Sequence, residues 1–362
     1  MARPFVPQLD TPALVLDLDA LERNLRRMAD HFAAIPCSLR PHVKTHKCST
    51  IARRQVALGA IGVTCAKLGE AEAMATGGVG DILIANQVTA SGKLPRLAAL
   101  ASRCDLTVAI DDLANAQAIA QAAAQAGSTV GVLIEVDTGM GRCGLPPDPP
   151  QVVALARQLA HTEGLRFRGL MGYEGHTVMI ENPAEQRAKT EAAGRLLLDC
   201  AGHVRAAGLD VESVSGGGTG TYDITSALDG VTEIQAGSYC LMDARYRRVK
   251  SQFENALFLV ATVVSRPAAD RVILDAGMKA ITHEFGLPQA IDPPGIELTH
   301  LSEEHGTCVV SGGNACPLKP GDQAWLLPTH CCTTVNLHDR YWCVRDGRLV
   351  GTWAIDARGR FD

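Results

Sequence analysis

The stretch "LTVAIDDLANAQAIAQAAAQAGSTVGVLIEVD", residues 106–137, places two apolar runs of strand length on either side of a segment of helix length. LTVAID and VGVLIEVD are too short for helices and rich in branched residues, whereas DLANAQAIAQAAAQAG is long, alanine-rich and closed by Gly127, a helix stop. A strand, a helix and a second strand in that order make a right-handed crossover between parallel neighbours. The same unit recurs in both directions along the chain. SLRPHVK, GVTCA and DILIAN precede it, and RGLMGYE, ESVSGGG and EIQAG follow, with a further helix-like stretch, DALERNLRRMADHFAA, at the front. Eight strands with helices between most of them favour a closed (β/α)8 TIM barrel over an open doubly wound sheet. No dinucleotide fingerprint argues otherwise. The glycine frame that starts at Gly216 reaches Gly218 and then meets Thr221 where a third glycine would stand.

After about residue 250 the texture changes. ALFLVATVVSRP, RVILDAG, DQAWLLPTH and YWCVRDGRLVGTWAI are β-branched and alternating, and the Asp-Gly pair in RDGRL is a hairpin signal. The expected organisation is a barrel over residues 19–247 and a mostly β domain built from residues 1–18 and 248–362. The early strand PALVLDL fits either part.

Composition narrows the function. A net charge of −5 offers no cationic field for nucleic acid, and no apolar run reaches membrane-spanning length. The N-terminus, MARPFVPQLDTP, has prolines where a secretory signal needs an apolar segment, so a cytoplasmic protein is expected. The twelve cysteines lack the paired spacing of a zinc ribbon, and most are expected to be buried thiols.

Chemistry-bearing residues fall in phase with the strand ends, at the rim where barrel active sites are built. Lys44 closes the first strand, Arg142 follows the fifth in DTGMGRCG, Tyr173 ends the sixth, and SGGGTG and AGSY follow the seventh and eighth. A lysine among apolar residues and other cations loses proton affinity, so its amine can attack a carbonyl. Glycine-rich loops with Thr219 and Ser238 can cradle a phosphate. Lysine plus phosphate cup points to pyridoxal 5′-phosphate. Side chains alternate along a strand, so Lys44 is expected to point into the barrel, while Lys47 lies in the loop beyond it. In the β region, His330 and Cys332 are two residues apart, sharing a face on an extended segment, as two ligands of one metal would. His305, in SEEHGT, is a further candidate substrate contact or proton carrier.

These segments, together with DTPALVLDLDALERN, RPHVKTHK, VSGGGTGTY, EIQAGSYCLMDARY, LDAGMKA, EEHG and HCCTTVNLHD, resemble the fold-type III pyridoxal phosphate enzymes. Within them the likeness is to the D-threonine aldolase and D-serine dehydratase group. The resemblance implies an alanine racemase-like barrel plus a C-terminal β domain, assembled as a homodimer. It makes Lys44 the Schiff-base lysine, Arg142 the cation near the ring phenolate and Tyr173 the neighbour of the pyridine ring. Gly218, Thr219, Gly237, Ser238 and Tyr239 would hold the phosphate. His330 and Cys332 would hold a divalent metal (Zn, Mn or Mg) that binds the β-hydroxyl of a 3-hydroxy-D-amino acid substrate.

Aldolase chemistry would yield glycine and an aldehyde; a dehydratase acting on D-serine or 3-hydroxy-D-aspartate would yield a 2-oxo acid and ammonia. The phosphate loops look aldolase-like, the His-x-Cys pair dehydratase-like, and the aldolase reading is preferred. The group's histidine six residues after the ring tyrosine is replaced by Met179, while His176 stands three residues after Tyr173, leaving His176 and His305 as candidate proton carriers. A racemase would need a β-domain tyrosine, for which only Tyr341 is available, and a noncatalytic cofactor carrier would need neither the β domain nor the metal pair.

Overall fold

Local sequence rules set the element ends. Asp112 accepts a hydrogen bond from the Asn115 amide at 2.8 Å, and Gly127 ends the same helix with φ 63°. Asn182 accepts from the amides of Ala184 and Glu185, with Pro183 in the first turn where its missing N–H costs nothing. The computed structural model describes Val6 and residues 9–310 and 318–362. Cys316, expected as one of the buried thiols, lies outside the described residues.

In chain order the elements are β1 (Ala13–Asp17), α1 (Leu18–Ala33), β2 (Ser38–Leu39), α2 (Ser49–Ala57), β3 (Val63–Cys65), α3 (Leu68–Thr76), β4 (Asp81–Ile84), α4 (Leu94–Ala101) and β5 (Asp105–Ile110). There follow α5 (Leu113–Ala126), β6 (Val130–Glu135), α6 (Pro149–Ala160), β7 (Leu165–Met171), α7 (Pro183–Ala206), β8 (Ser213–Gly216), α8 (Tyr222–Thr225) and β9 (Glu233–Ile234). The last third holds β10 (Leu257–Ala268), β11 (Arg271–Leu274), β12 (Gln289–Asp292), β13 (Ile296–Leu301), β14 (Gly306–Val310), β15 (Gln323–Leu327), α9 (Cys331–Val335), β16 (Arg340–Arg345) and β17 (Arg348–Ala354).

The chain divides into two compact units. One comprises Met28–Lys44, Ser49–Gly237 and Arg360–Asp362, the other Met1–Arg27, Thr45–Cys48 and Ser238–Gly359.

The first unit is an eight-stranded parallel sheet in the order β2-β9-β8-β7-β6-β5-β4-β3. Its two outer strands meet through a parallel His42↔Thr64 bridge and the Ile61 amide donating to the Leu39 carbonyl at 3.0 Å, so the strands close on themselves as a barrel. All eight expected barrel strands are present. Leu83, Ala109, Leu133 and Met171, one each from β4 to β7, form a buried cluster. Arg40, itself buried, joins Glu233 at 3.0 Å and Asp81 at 2.5 Å, tying the β2, β9 and β4 segments by charge. The first barrel strand is shorter than SLRPHVK suggests. The regular strand ends at Leu39, although single bonds from the Arg40 and His42 amides to Ile234 and Ala236 carry the pairing on, and Lys44 falls in a 3₁₀ turn over Val43–Thr45 rather than on the strand.

The second unit is a nine-stranded sheet with a main path of β13-β14-β11-β10-β1-β16-β17; β15 pairs with β10, and β12 with β15. The early strand β1 belongs here, antiparallel to β10 and parallel to β16. Val15, Phe258, Val260, Trp325, Leu327 and Val344 pack in one core cluster. The β16–β17 hairpin turns through Asp346 (φ 47°) and Gly347 (φ 70°), the paired positive angles that Asp-Gly supplies at least cost.

One glycine is dictated by a close approach. In β7 the register against β6 shifts between Phe167 and Gly169, and Gly169, at φ 139°, lies so near β8 that a Cβ would stand 2.0 Å from the Ser213 carbonyl oxygen. Gly169→Ala is expected to lower the unfolding free energy by roughly 3 kcal/mol, read as a fall in the urea midpoint.

Candidate active site

The C-terminal rim of the barrel gathers cations around one aromatic ring. Tyr173, two residues beyond β7, has the Lys44 ammonium nitrogen 5.7 Å and the Arg142 guanidinium carbon 5.6 Å from its ring centroid. From a third direction comes the glycine loop: a Cβ on Gly218 would meet Tyr173 Cε2 at 3.2 Å. Four residues distant in sequence therefore converge, and each comes from the segment after a different barrel strand.

Arg142 is carried by the loop after β6, whose shape Asp137 sets by accepting hydrogen bonds from the amides of Gly139 and Gly141 at 3.0 Å. Burial would raise the Asp137 carboxyl, but the amides of Gly141, Gly139 and Met140 outweigh it and hold the carboxyl below its ordinary value. Inside the barrel, Glu135 stands 3.8 Å from Arg142 and accepts from Gln87 at 2.6 Å; burial pushes its carboxyl up. His176 is exposed and lies against this loop, its Cε1 3.0 Å from where a Gly139 Cβ would be.

The loop after β8 is buried and crowded. Gly217 has φ 73°, a Cβ on Gly220 would be 2.0 Å from the Val178 carbonyl oxygen, and Thr219 is buried. Glu174, next to Tyr173, is buried beside this loop and accepts from the Gly217 amide at 3.2 Å, Thr221 Oγ1 at 2.8 Å and Thr225 Oγ1 at 2.5 Å. Gly237 ends the barrel unit, and the buried Ser238 and Tyr239 open a 3₁₀ turn in the other unit. Lys47, the rival lysine, sits at φ 51° with its amine donating to the Ala357 carbonyl at 3.2 Å. His42 is buried and serves in barrel closure, and the buried His46 accepts the Tyr341 hydroxyl on its carbonyl at 2.6 Å.

The second constellation lies wholly within the β unit. His330 and Cys332 are not on one extended run: His330 is extended at φ −146°, and the chain then turns into α9, which carries Cys332. Their side chains nevertheless hydrogen-bond to each other. His330 Nδ1 is 2.6 Å from Glu284 Oε1, and Thr333 also donates to that carboxylate. Burial alone would raise Glu284, yet these contacts hold it down to about 2. Burial would lower His330, but Cys332 and Glu284 raise it to about 9. Cys332, hydrogen-bonded by the Cys331 thiol, His330 and Thr45, is held well below an ordinary thiol, with Thr45 Oγ1 at 3.4 Å. Phe285 packs against His330 with its ring tilted by 43° and the centroids 4.8 Å apart, and Arg245 lies over Phe285 at 3.9 Å.

Among the described residues no group of three or more His, Cys, Asp or Glu side chains forms a metal cluster. His305 is exposed on the turn between β13 and β14.

Sequence reasoning missed Glu174, Glu284, Glu135 and Gln87. A carboxylate directly after the ring tyrosine was a visible signal for the first; Glu284, 46 positions from its histidine, gave none.

A barrel with lysine, arginine, tyrosine and a glycine loop on its rim, together with a separate β unit, defines an alanine racemase-like architecture. Two family models match, "Alanine racemase, N-terminal domain" over residues 16–244 and "Putative serine dehydratase domain" over residues 256–344. The chain belongs to the alanine racemase N-terminal domain family, and that membership implies pyridoxal phosphate as cofactor.

It is 42% identical to the D-threonine aldolase of an Arthrobacter species, over 99% of this chain and 96% of that one. The D-threonine aldolase of Filomicrobium marinum superposes with a TM-score of 0.94 at 39% identity, over 100% of this chain and 99% of that one. The D-threo-3-hydroxyaspartate dehydratase of Delftia sp. HT23 follows at 0.89 and 35%, over 96% and 98% of the two chains. A D-threo-3-hydroxyaspartate dehydratase is also described as a cysteine-to-alanine mutant in the metal-free form. No helix among the described residues is long and apolar enough to cross a membrane.

Asp137→Ala removes the acceptor that folds the Arg142 loop. Hydrogen exchange at the Gly139 and Gly141 amides is expected to quicken by about tenfold, with the barrel strands unchanged.

Proposed function

We propose that the protein is a carbon–carbon lyase that cleaves 3-hydroxy-D-amino acids to glycine and an aldehyde, with pyridoxal 5′-phosphate and a divalent metal. The observation that carries the reading is the meeting of Lys44, Arg142 and Gly218 around the Tyr173 ring. These residues fit the cofactor: an amine for its carbonyl, a cation for its ring oxygen, an aromatic face and a glycine loop that a side chain would obstruct. When bound, the cofactor supplies an electron sink for a carbanion, and the metal a Lewis acid for the substrate hydroxyl.

Each residue then has a task. Lys44 supplies the amine, Arg142 orients the ring oxygen, and Gly218 and Thr219, with Gly237, Ser238 and Tyr239, donate to the phosphate. His330 and Cys332 hold the metal, drawn from Zn, Mn or Mg. The donor pair fits such an ion because Glu284 fixes the Nδ1 side of His330, turning Nε2 to coordination beside a low-pKa thiol. His176, beside the Arg142 loop, and His305 are the proposed proton carriers. Residues 19–247 form the cofactor part, and residues 1–18 and 248–362 the metal part. A cytoplasmic location is proposed from the sequence reading, and a homodimer from the family resemblance.

The second reading is dehydration of D-serine or 3-hydroxy-D-aspartate, in which Lys44 takes the α-proton and the hydroxyl leaves as water. The thiol at Cys332 favours it, and a dehydratase relative stands at 35% identity. Racemisation is disfavoured, because Tyr341 is fully buried with its hydroxyl committed to the His46 carbonyl.

Incubation with both cofactors and D-threonine, D-serine or 3-hydroxy-D-aspartate is expected to release glycine and an aldehyde. A 2-oxo acid with ammonia would replace that conclusion by the second reading. Lys44→Ala should lower either turnover by at least about 1,000-fold, and near-normal turnover would remove the lysine from its role. Glu284→Ala is expected to weaken Co²⁺ binding roughly 10- to 100-fold, followed through the thiolate-to-cobalt absorption.

A further inference from the structure

We propose that Glu174 is a positioning residue that shapes the glycine loop into its phosphate-binding form. The inference rests on the reading of that loop as the phosphate cup. Glu174 is buried, and its carboxylate accepts from residues 217–225: the Gly217 amide at 3.2 Å, Thr221 Oγ1 at 2.8 Å and Thr225 Oγ1 at 2.5 Å. Thr221 Oγ1, while donating to Glu174, accepts from the Gly218 amide at 3.2 Å. One carboxylate therefore determines, directly or through one hydroxyl, where the amides of two successive glycines point.

Such control is needed here. A glycine-rich loop has the largest conformational freedom to lose, and close packing limits where the backbone goes without by itself aiming the amides. Backbone amides bind an anion well only when their directions are preset. Glu174 follows Tyr173 in the chain, so the same short segment places the tyrosine ring and the glycine loop beside it. The glycine frame is broken by Thr221, and that residue carries the relay: glycine there would delete the hydroxyl that joins Glu174 to Gly218.

Glu174 touches neither substrate nor cofactor in this reading, so its effect must appear as phosphate recognition and not as loss of chemistry. The full-length chain, freed of cofactor, is titrated by absorbance with pyridoxal 5′-phosphate and with pyridoxal, which lacks the phosphate. The ratio of the two affinities is the readout. Wild type is expected to prefer the phosphorylated form by at least about 100-fold, and Glu174→Ala to cut that preference by about tenfold or more, with pyridoxal affinity held within about threefold. Glu174→Gln, which keeps an acceptor oxygen for the threonines, should fall between.

An unchanged ratio in Glu174→Ala, or an equal loss for both ligands, overturns the proposal. A wild type with no preference overturns the phosphate-cup reading itself. Should Glu174→Ala fail to fold, Thr225→Val and Thr221→Val decide by the same ratio. A reduced preference in Thr221→Val supports the relay, and an unchanged one in both rejects it.

Discussion

Parallel strands joined by right-handed crossovers all end on the same side of the sheet, and in a closed ring those ends form one rim. The rest of the barrel unit depends on that constraint. Lys44, Arg142, Tyr173 and Gly218 are scattered over 175 positions (218 minus 44 is 174 intervals), yet each follows a strand of the same ring, so closure alone brings them to one level. The final contacts are local. Asp137 folds the loop that holds Arg142, Glu174 folds the loop that holds Gly218, and Lys44 stands on a 3₁₀ turn just beyond the first strand.

Carboxylates recur as organisers rather than reagents. Asp137 and Glu174 accept backbone amides, Glu135 stands behind Arg142, and Glu284 holds His330. Glu135 and Glu174 are buried, and a buried carboxylate is costly unless donors surround it, so these two mark places where the geometry of a neighbour is tightly defined. In the β unit charge acts between side chains: Glu284 and Cys332 raise the pKa of His330, and His330 with Cys331 lowers that of the Cys332 thiol. That mutual effect arises although the chain leaves the extended path between the two residues.

Much of the fold was legible because strand and helix periods are written in short windows. All eight barrel strands, the DG hairpin and the Gly127 helix end follow from nearest-neighbour rules. The rim residues could be picked out for the same reason, since a polar group just after an apolar run is visible without coordinates. Conversely, β1 could not be assigned to either unit from its own residues. Its pairing with β10 and β16, more than 230 positions away, is settled by which strand edges are open in the folded sheet.

The sequence by itself determined the alternation of strands and helices, the rim candidates and the family. Tertiary structure alone decided that Lys44 rather than Lys47 stands by the Tyr173 ring, that Tyr341 is buried with its hydroxyl engaged, and that Glu174 and Glu284 hold loop and histidine in place. The physical reason is reach. Helix caps, turns and strand periods act over a few residues, whereas the orientation of a side chain depends on donors and walls supplied by segments distant in sequence, which only the packed chain brings together.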